Sequence, residues 1–284
     1  MIKVNNLYHK YKGNDVYAVK DVGFYIDKGE IYGFLGPSGA GKSTVQKILC
    51  GILNVQKGNV KYNDTEIKKM KGSFFEKIGV SFEFPNLYEK LTGYENLNFF
   101  RGLFKSETED PNLLLERVGL SDSANKKVKD YSKGMKQRLV FARSIINKPE
   151  ILFLDEPLSG LDPTTAKNIK NIINEKRKLG TTIFLTTHNM YVADELCDRV
   201  AFLNEGEIIA SDTPKNLKLK YGTSSIKIEY KTEQKKNDEL LFIEKEEDKN
   251  RFKEIIDKYE IITLHSGEAT LEEIFIKLTG RELI

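Results

Sequence analysis

Residues 36–44 read Gly36-Pro37-Ser38-Gly39-Ala40-Gly41-Lys42-Ser43-Thr44, a run of small residues ending in a lysine and two hydroxyls. Glycines let a backbone fold so that its N–H groups converge in a concave, anion-binding nest. The spacing from Gly36 to Gly41, Lys42 and Ser43 fits the G-x-x-x-x-G-K-[ST] pattern of phosphate-binding loops. In such a loop Lys42 brings a positive charge to the β- and γ-phosphates, and the Ser43 hydroxyl can hold Mg²⁺. The setting agrees: residues 30–35 read as an apolar strand, and residues 44–50 have helical spacing. A helix that starts there adds its positive end to the phosphate site. Alone, the loop could serve a kinase, a GTPase or a motor.

A second nucleotide signal lies more than a hundred residues downstream. Residues 151–154 form a continuous apolar run, as in a strand buried on both faces, and Asp155-Glu156-Pro157 follow it. A carboxylate at the end of such a strand can reach Mg²⁺ held by the loop serine. Asp155 suits that role through water, because Mg²⁺ keeps part of its hydration shell. Glu156 is the better candidate to polarise an attacking water.

Residues 131–139 read Tyr-Ser-Lys-Gly-Met-Lys-Gln-Arg-Leu, which resembles the signature motif of ABC transporter ATPases, usually Leu-Ser-Gly-Gly-Gln. The resemblance gives Ser132 and Gly134 the two positions that contact the γ-phosphate. It makes Asp162, in Ser159-Gly160-Leu161-Asp162, a residue that helps join two subunits. It makes His188 the switch histidine at the γ-phosphate and Tyr11 the aromatic that stacks on adenine. His9 and His265 have no such setting and read as ordinary surface or satisfied residues. The family's usual glutamine, which binds Mg²⁺ and water, is Glu83 here. A glutamate can still accept from water and bind a hard cation. It is similar to the residue found in ATPases of lantibiotic and bacitracin-like export and immunity systems. The tail, residues 269–280, resembles the ending of ATPases that pair with ABC-2-type exporter permeases. Five ordered motifs carry the resemblance, which covers residues 1 to about 220.

What this implies is an α/β P-loop NTPase of ABC ATPase type, with ATP and Mg²⁺ as cofactors. It would have a RecA-like core, an N-terminal antiparallel β subdomain and a helical subdomain over about residues 86–148. A small C-terminal α/β appendage would fill residues 221–284. Two copies would pair head to tail, with ATP between the loop of one and Ser132 and Gly134 of the other. The pair would drive a separately encoded integral membrane permease from the inner face of the cell membrane, most simply as an exporter of a peptide antibiotic, drug or lipid-like substrate. A groove beside Glu83, lined by Phe84, Leu87, Tyr88 and Tyr94, would receive the permease.

The pattern along the chain supplies elements to position these residues. Short strands with turns at residues 12–15 and 27–29 occupy the N-terminus. A hairpin edge is expected over 55–62 and a strand over 77–82. Residues 86–148 are mostly helical by their three- and four-residue apolar spacing. A helix from about 164 to 179 and a strand over 182–185 complete a βαβ unit, and residues 199–209 read as a hairpin. Beyond Pro214 the pattern predicts a charged loop over 231–239, then a strand at 240–243, a helix near 250–258 and a strand at 261–264. The last helix opens at Thr270 in a capping box.

Composition narrows the class. The net charge of +3 is small against 45 basic and 42 acidic residues, which gives no case for nucleic acid. Cys50 and Cys197 are far apart in sequence and fit a reducing compartment, each packed as a small apolar residue. No stretch approaches the roughly 18 apolar residues that cross a bilayer. The rival from another class is a soluble ABC ATPase acting on the ribosome or DNA. Ribosome-directed members usually carry two such modules, and DNA-repair members carry a long coiled coil. This chain has one module, and the gap of about ninety residues between loop and signature has no room for a coiled coil.

Overall fold

The structure is a computed structural model of the chain and describes residues 1–223, 225–232 and 235–280. In chain order the N-terminal part holds strands β1 (Ile2–His9), β2 (Val19–Ile26) and β3 (Ile31–Leu35), and then helix α1 (Lys42–Leu49). Strands β4 (Lys57–Tyr62) and β5 (Thr65–Glu66), the short helix α2 (Gly72–Phe75) and strand β6 (Ile78–Ser81) come next. Helices α3 (Gly93–Arg101), α4 (Pro111–Arg117) and α5 (Lys133–Ile145) precede β7 (Ile151–Asp155). Then come α6 (Pro163–Lys178), β8 (Thr182–Thr187), α7 (Met190–Leu196), β9 (Arg199–Asn204) and β10 (Glu207–Asp212).

Two compact units divide the chain, one spanning Met1–Ser211 and the other running from Asp212 onward. In the first unit the main sheet has the order β10-β9-β3-β8-β7-β6, and β9, β3, β8, β7 and β6 run parallel. Every residue of β3, β7 and β8 is buried, which explains their unbroken apolar runs. A second, antiparallel sheet has the order β2-β1-β4-β5. Phe24 of that sheet stacks on Tyr32 and packs against Phe34 and Phe184 of the main sheet, so one aromatic core joins the two layers. The span 86–148 is broken into α3, α4 and α5 by capped starts: Thr92 and Glu95 form a capping box, Asp110 caps α4 ahead of Pro111, and Ser132 caps α5.

The second unit contains α8 (Pro214–Tyr221), β11 (Ser225–Lys231), β12 (Lys236–Phe242), α9 (Glu246–Lys258), β13 (Glu260–Gly267) and α10 (Leu271–Thr279). Its sheet is antiparallel in the order β12-β11-β13. Two expectations shift here. Strand β12 occupies much of the span read as a charged loop, because it pairs with β11 from Ser225↔Phe242 to Lys231↔Lys236. Exposed Lys236, Asp238 and Leu240 alternate with the more buried Asn237, Glu239 and Leu241, so charge density in the sequence hid a strand. Glu233 and Gln234 of that predicted loop lie outside the described residues. Helix α9 begins four residues earlier than its apolar spacing suggested, since Glu246, Glu247 and Asp248 stabilise its positive end. Thr270 and Glu273 form the reciprocal capping box at α10.

Candidate functional site

Parallel register places the motifs at one edge of the main sheet. Leu35 of β3 pairs with Thr187 of β8, Asp155 of β7 with Thr186, and Ser81 of β6 with Leu154. The 36–44 loop, Glu156, His188 and Glu83 all follow the carboxyl ends of these neighbouring strands, where parallel α/β sheets hold ligands. The loop passes directly into α1 at Gly41, whose φ of 105° suits glycine. A Cβ there would stand 2.4 Å from the Ala18 carbonyl oxygen.

Lys42 is buried, and its ammonium donates to the carbonyl oxygens of Gly36 at 2.7 Å and Pro37 at 3.0 Å. Burial lowers its pKa, and the negative charges of Glu156, Asp155 and Glu83 oppose that shift. Glu83, although exposed, therefore lies within electrostatic reach of the loop lysine. The Ser43 hydroxyl donates to Asp155 Oδ1 at 3.2 Å, and the buried Thr186 hydroxyl donates to the same oxygen. Ser43 and Asp155 thus present the hard oxygen donors that Mg²⁺ takes alongside water and phosphate. Among the described residues no group of three or more His, Cys, Asp or Glu could hold a metal. The donor set suits a cation that brings its remaining ligands with it.

Glu156 follows β7 with a left-handed backbone, φ 47°, a conformation that costs a non-glycine residue about 1–2 kcal/mol. The turn aims its carboxylate at β8. It accepts from the Thr187 hydroxyl at 3.0 Å and the His188 amide at 2.8 Å, and His188 Nδ1 lies 2.7 Å away. With Nδ1 turned to the carboxylate, Nε2 is the outward nitrogen of a ring that is 63% exposed. Gln137 of α5 donates to the Glu156 carbonyl oxygen at 3.2 Å, tying the helical segment to the same turn.

The Tyr11 hydroxyl lies 3.1 Å from Thr44 Oγ1, so its ring stands beside the start of α1. Ser132 and Gly134 sit at the start of α5 against a different neighbour. Ser132 accepts from the Met135 amide at 3.2 Å, and a Cβ on Gly134 would come within 3.2 Å of the Gly160 carbonyl oxygen. Asp162 caps α6 by accepting from the Thr164 and Thr165 amides, and hydrogen bonds from Thr165 hold its carboxyl below the usual range. Among the described residues no hydrogen bond or ion pair joins Ser132 or Gly134 to the 36–44 loop.

An apolar groove of about 720 Å³ lies beside Glu83. Leu87 and Tyr88 line it, as expected, together with Phe82, Phe100, Phe104 and Arg143. Phe84 and Tyr94 are not among its lining residues; Phe84 is 75% exposed, and Tyr94 is held through its amide by the Ala124 carbonyl oxygen. Sequence reasoning missed Thr186, Thr187 and Gln46. The two threonines end a buried strand one or two residues before His188, a position where a hydroxyl needs a partner. Gln46 is fully buried on α1 and donates to the Ser81 carbonyl oxygen at 3.3 Å. His9, read as surface or satisfied, is buried with Nδ1 unpartnered. Cys50 and Cys197 are buried and free.

The family model described as ABC transporter matches residues 19–159. A fluoroquinolones export ATP-binding protein of Mycobacterium tuberculosis is 47% identical over 284 residues, covering 100% of this chain and 94% of that protein. A lantibiotic transport ATP-binding protein of Streptococcus pyogenes is 36% identical over 209 residues, 74% of this chain and 89% of that one. Among solved structures, a dimeric ATP-binding cassette in a post-hydrolysis state, bound to ADP and Pi, superposes with a TM-score of 0.69 at 28% identity. It covers 75% of this chain and 98% of that chain.

Proposed function

The chain belongs to the ABC transporter family, and on that premise we propose that it is the ATP-hydrolysing subunit of a membrane exporter. ATP lies along the 36–44 loop, with Lys42 at its outer phosphates and Tyr11 against its base. Ser43 and, through water, Asp155 would hold Mg²⁺, with Glu83 nearby, and the bound ion would offset the phosphate charge. Glu156 takes the proton of the attacking water. His188 fixes the orientation of that carboxylate and presents Nε2 to the γ-phosphate. The observation that carries this reading is the joint one at the sheet edge, where Glu156 pairs with His188 while Asp155 pairs with Ser43.

Ser132, Gly134 and Asp162 serve a second copy. They sit together near Gly160, are exposed or half-buried, and make their bonds away from the loop. A head-to-tail pair would lay them on the partner's ATP, so that nucleotide closes the dimer and hydrolysis opens it. The groove beside Glu83 takes a cytosolic segment of a separately encoded permease. Among the described residues no helix is long and apolar enough to cross a membrane; in this reading the permease supplies the attachment. The relatives' names favour a drug or peptide antibiotic as cargo. Phosphate release from Mg-ATP, lost in Lys42→Ala, tests the ATPase. A photoreactive residue at position 88 tests the docking. It should crosslink an integral membrane protein that copurifies with the ATPase; no crosslink from position 88, with crosslinks obtained instead from probes placed in the C-terminal unit, would refute the groove.

A further inference from the structure

Tyr11 is an exposed aromatic just beyond the end of β1, yet it is held on every side. The backbone ladder between β1 and β4 ends at Tyr8↔Lys57. Past that pair the Gln56 side-chain amide takes over as a substitute peptide. Its Oε1 accepts from the Lys10 amide at 2.8 Å, and its Nε2 donates to the Lys10 carbonyl oxygen at 2.9 Å. A primary amide offers one acceptor and two donors in a plane, so it can pair with a backbone as another strand would. The Asn14 amide donates to the Tyr11 carbonyl oxygen at 3.1 Å and closes the following turn. The buried His9 ring meets the Tyr11 ring edge to face, with centroids 5.1 Å apart and planes at 82°. The Tyr11 hydroxyl reaches Thr44. Backbone, ring plane and ring tip are each fixed by a different contact.

We propose that Gln56 and His9 are positioning residues for the nucleotide base: Gln56 holds the backbone that carries Tyr11, and His9 sets the tilt of its ring. The inference rests on the reading that Tyr11 faces the base. A stacking ring gains affinity when its orientation is fixed before the ligand arrives, because less entropy is lost on binding. Phosphate contacts from the 36–44 loop do not pass through either residue. Base affinity and phosphate affinity should therefore separate.

Calorimetric titration of the full chain with Mg²⁺ and either ADP or inorganic pyrophosphate measures both. Gln56→Ala should weaken ADP binding by about five- to tenfold, the loss expected when two hydrogen bonds that order a contact residue are removed. Pyrophosphate binding should stay within about twofold. His9→Ala should do the same, and His9→Phe, which keeps a ring at the Tyr11 edge, should restore ADP affinity. In steady-state assays KM for ATP should rise while kcat holds. Parallel loss of ADP and pyrophosphate affinity, or no change in ADP affinity for Gln56→Ala, overturns the proposal. Tyr11→Ala separates it from its premise. If that variant binds ADP normally, the assignment of Tyr11 to the base fails. If it binds ADP weakly and Gln56→Ala does not, only the positioning role fails.

Discussion

Replacing Glu156 with glutamine separates the chemistry of this site from its construction. The carboxylate accepts from the Thr187 hydroxyl at 3.0 Å and the His188 amide at 2.8 Å, with His188 Nδ1 at 2.7 Å. A glutamine of the same shape keeps Oε1 for both His188 groups. Its amide nitrogen can donate to the Thr187 hydroxyl, which has lone pairs to accept. What the fold loses is the charge assistance of these bonds, about 1–2 kcal/mol in all. What the reaction loses is a general base, worth about 10²–10⁴ in rate. At about 1.4 kcal/mol per decade that is about 3–5 kcal/mol of barrier. The two effects are therefore distinguishable in one variant. Thermal unfolding should fall by a few degrees, while phosphate release in a single turnover drops at least a hundredfold. ATP should remain bound and elute with a dimer on gel filtration, because Lys42, Ser43 and Tyr11 are untouched. Turnover within about tenfold of the parent would remove Glu156 from the role of base. Loss of ATP binding would mean that its main task is to hold the loop.

Two further outcomes follow from local geometry. Gly39 and Gly41 both have positive φ, at 79° and 105°, but a Cβ at Gly39 meets open space while one at Gly41 stands 2.4 Å from the Ala18 carbonyl oxygen. Gly39→Ala should lower stability by about 1–2 kcal/mol of backbone strain, and Gly41→Ala by more, with a further loss of ADP affinity. Urea unfolding and ADP titration compare them, and equal effects would show that the Ala18 contact is immaterial. His9 gives the pH dependence. Burial lowers its pKa below 6.5, so on acidification the unfolded chain takes up a proton before the folded one. Its contribution is intact above pH 6.5 and is lost as pH falls through the interval between 6.5 and the lowered folded value. His9→Phe should therefore show a shallower loss of stability between about pH 7 and 5; an unchanged slope would place the acid sensitivity elsewhere.

The sequence alone determined the kind of fold and its ordered motifs. The strand-loop-helix around Gly36–Lys42 is legible because each part is local: glycines for the loop, a buried apolar run before it and helical spacing after it. The same holds for residues 151–156 and for the Thr270 capping box. Charge hid what pairing with a neighbour decides. The first half of β12, residues 236–239, looked like a loop because its charged and polar residues gave no sign of the pairing with β11 that holds it. Only the tertiary structure decided which side chains meet. Parallel register across β3, β8, β7 and β6 brings residues from 43 to 188 to one edge. The left-handed turn at Glu156 then sets its carboxylate on His188. No spacing in the sequence encodes that the Thr186 and Ser43 hydroxyls share one Asp155 oxygen, or that Gln56 stands in for a missing strand beside Lys10. Such contacts join segments far apart in the chain, and their partners are chosen by the packing of sheets and helices rather than by neighbours in sequence.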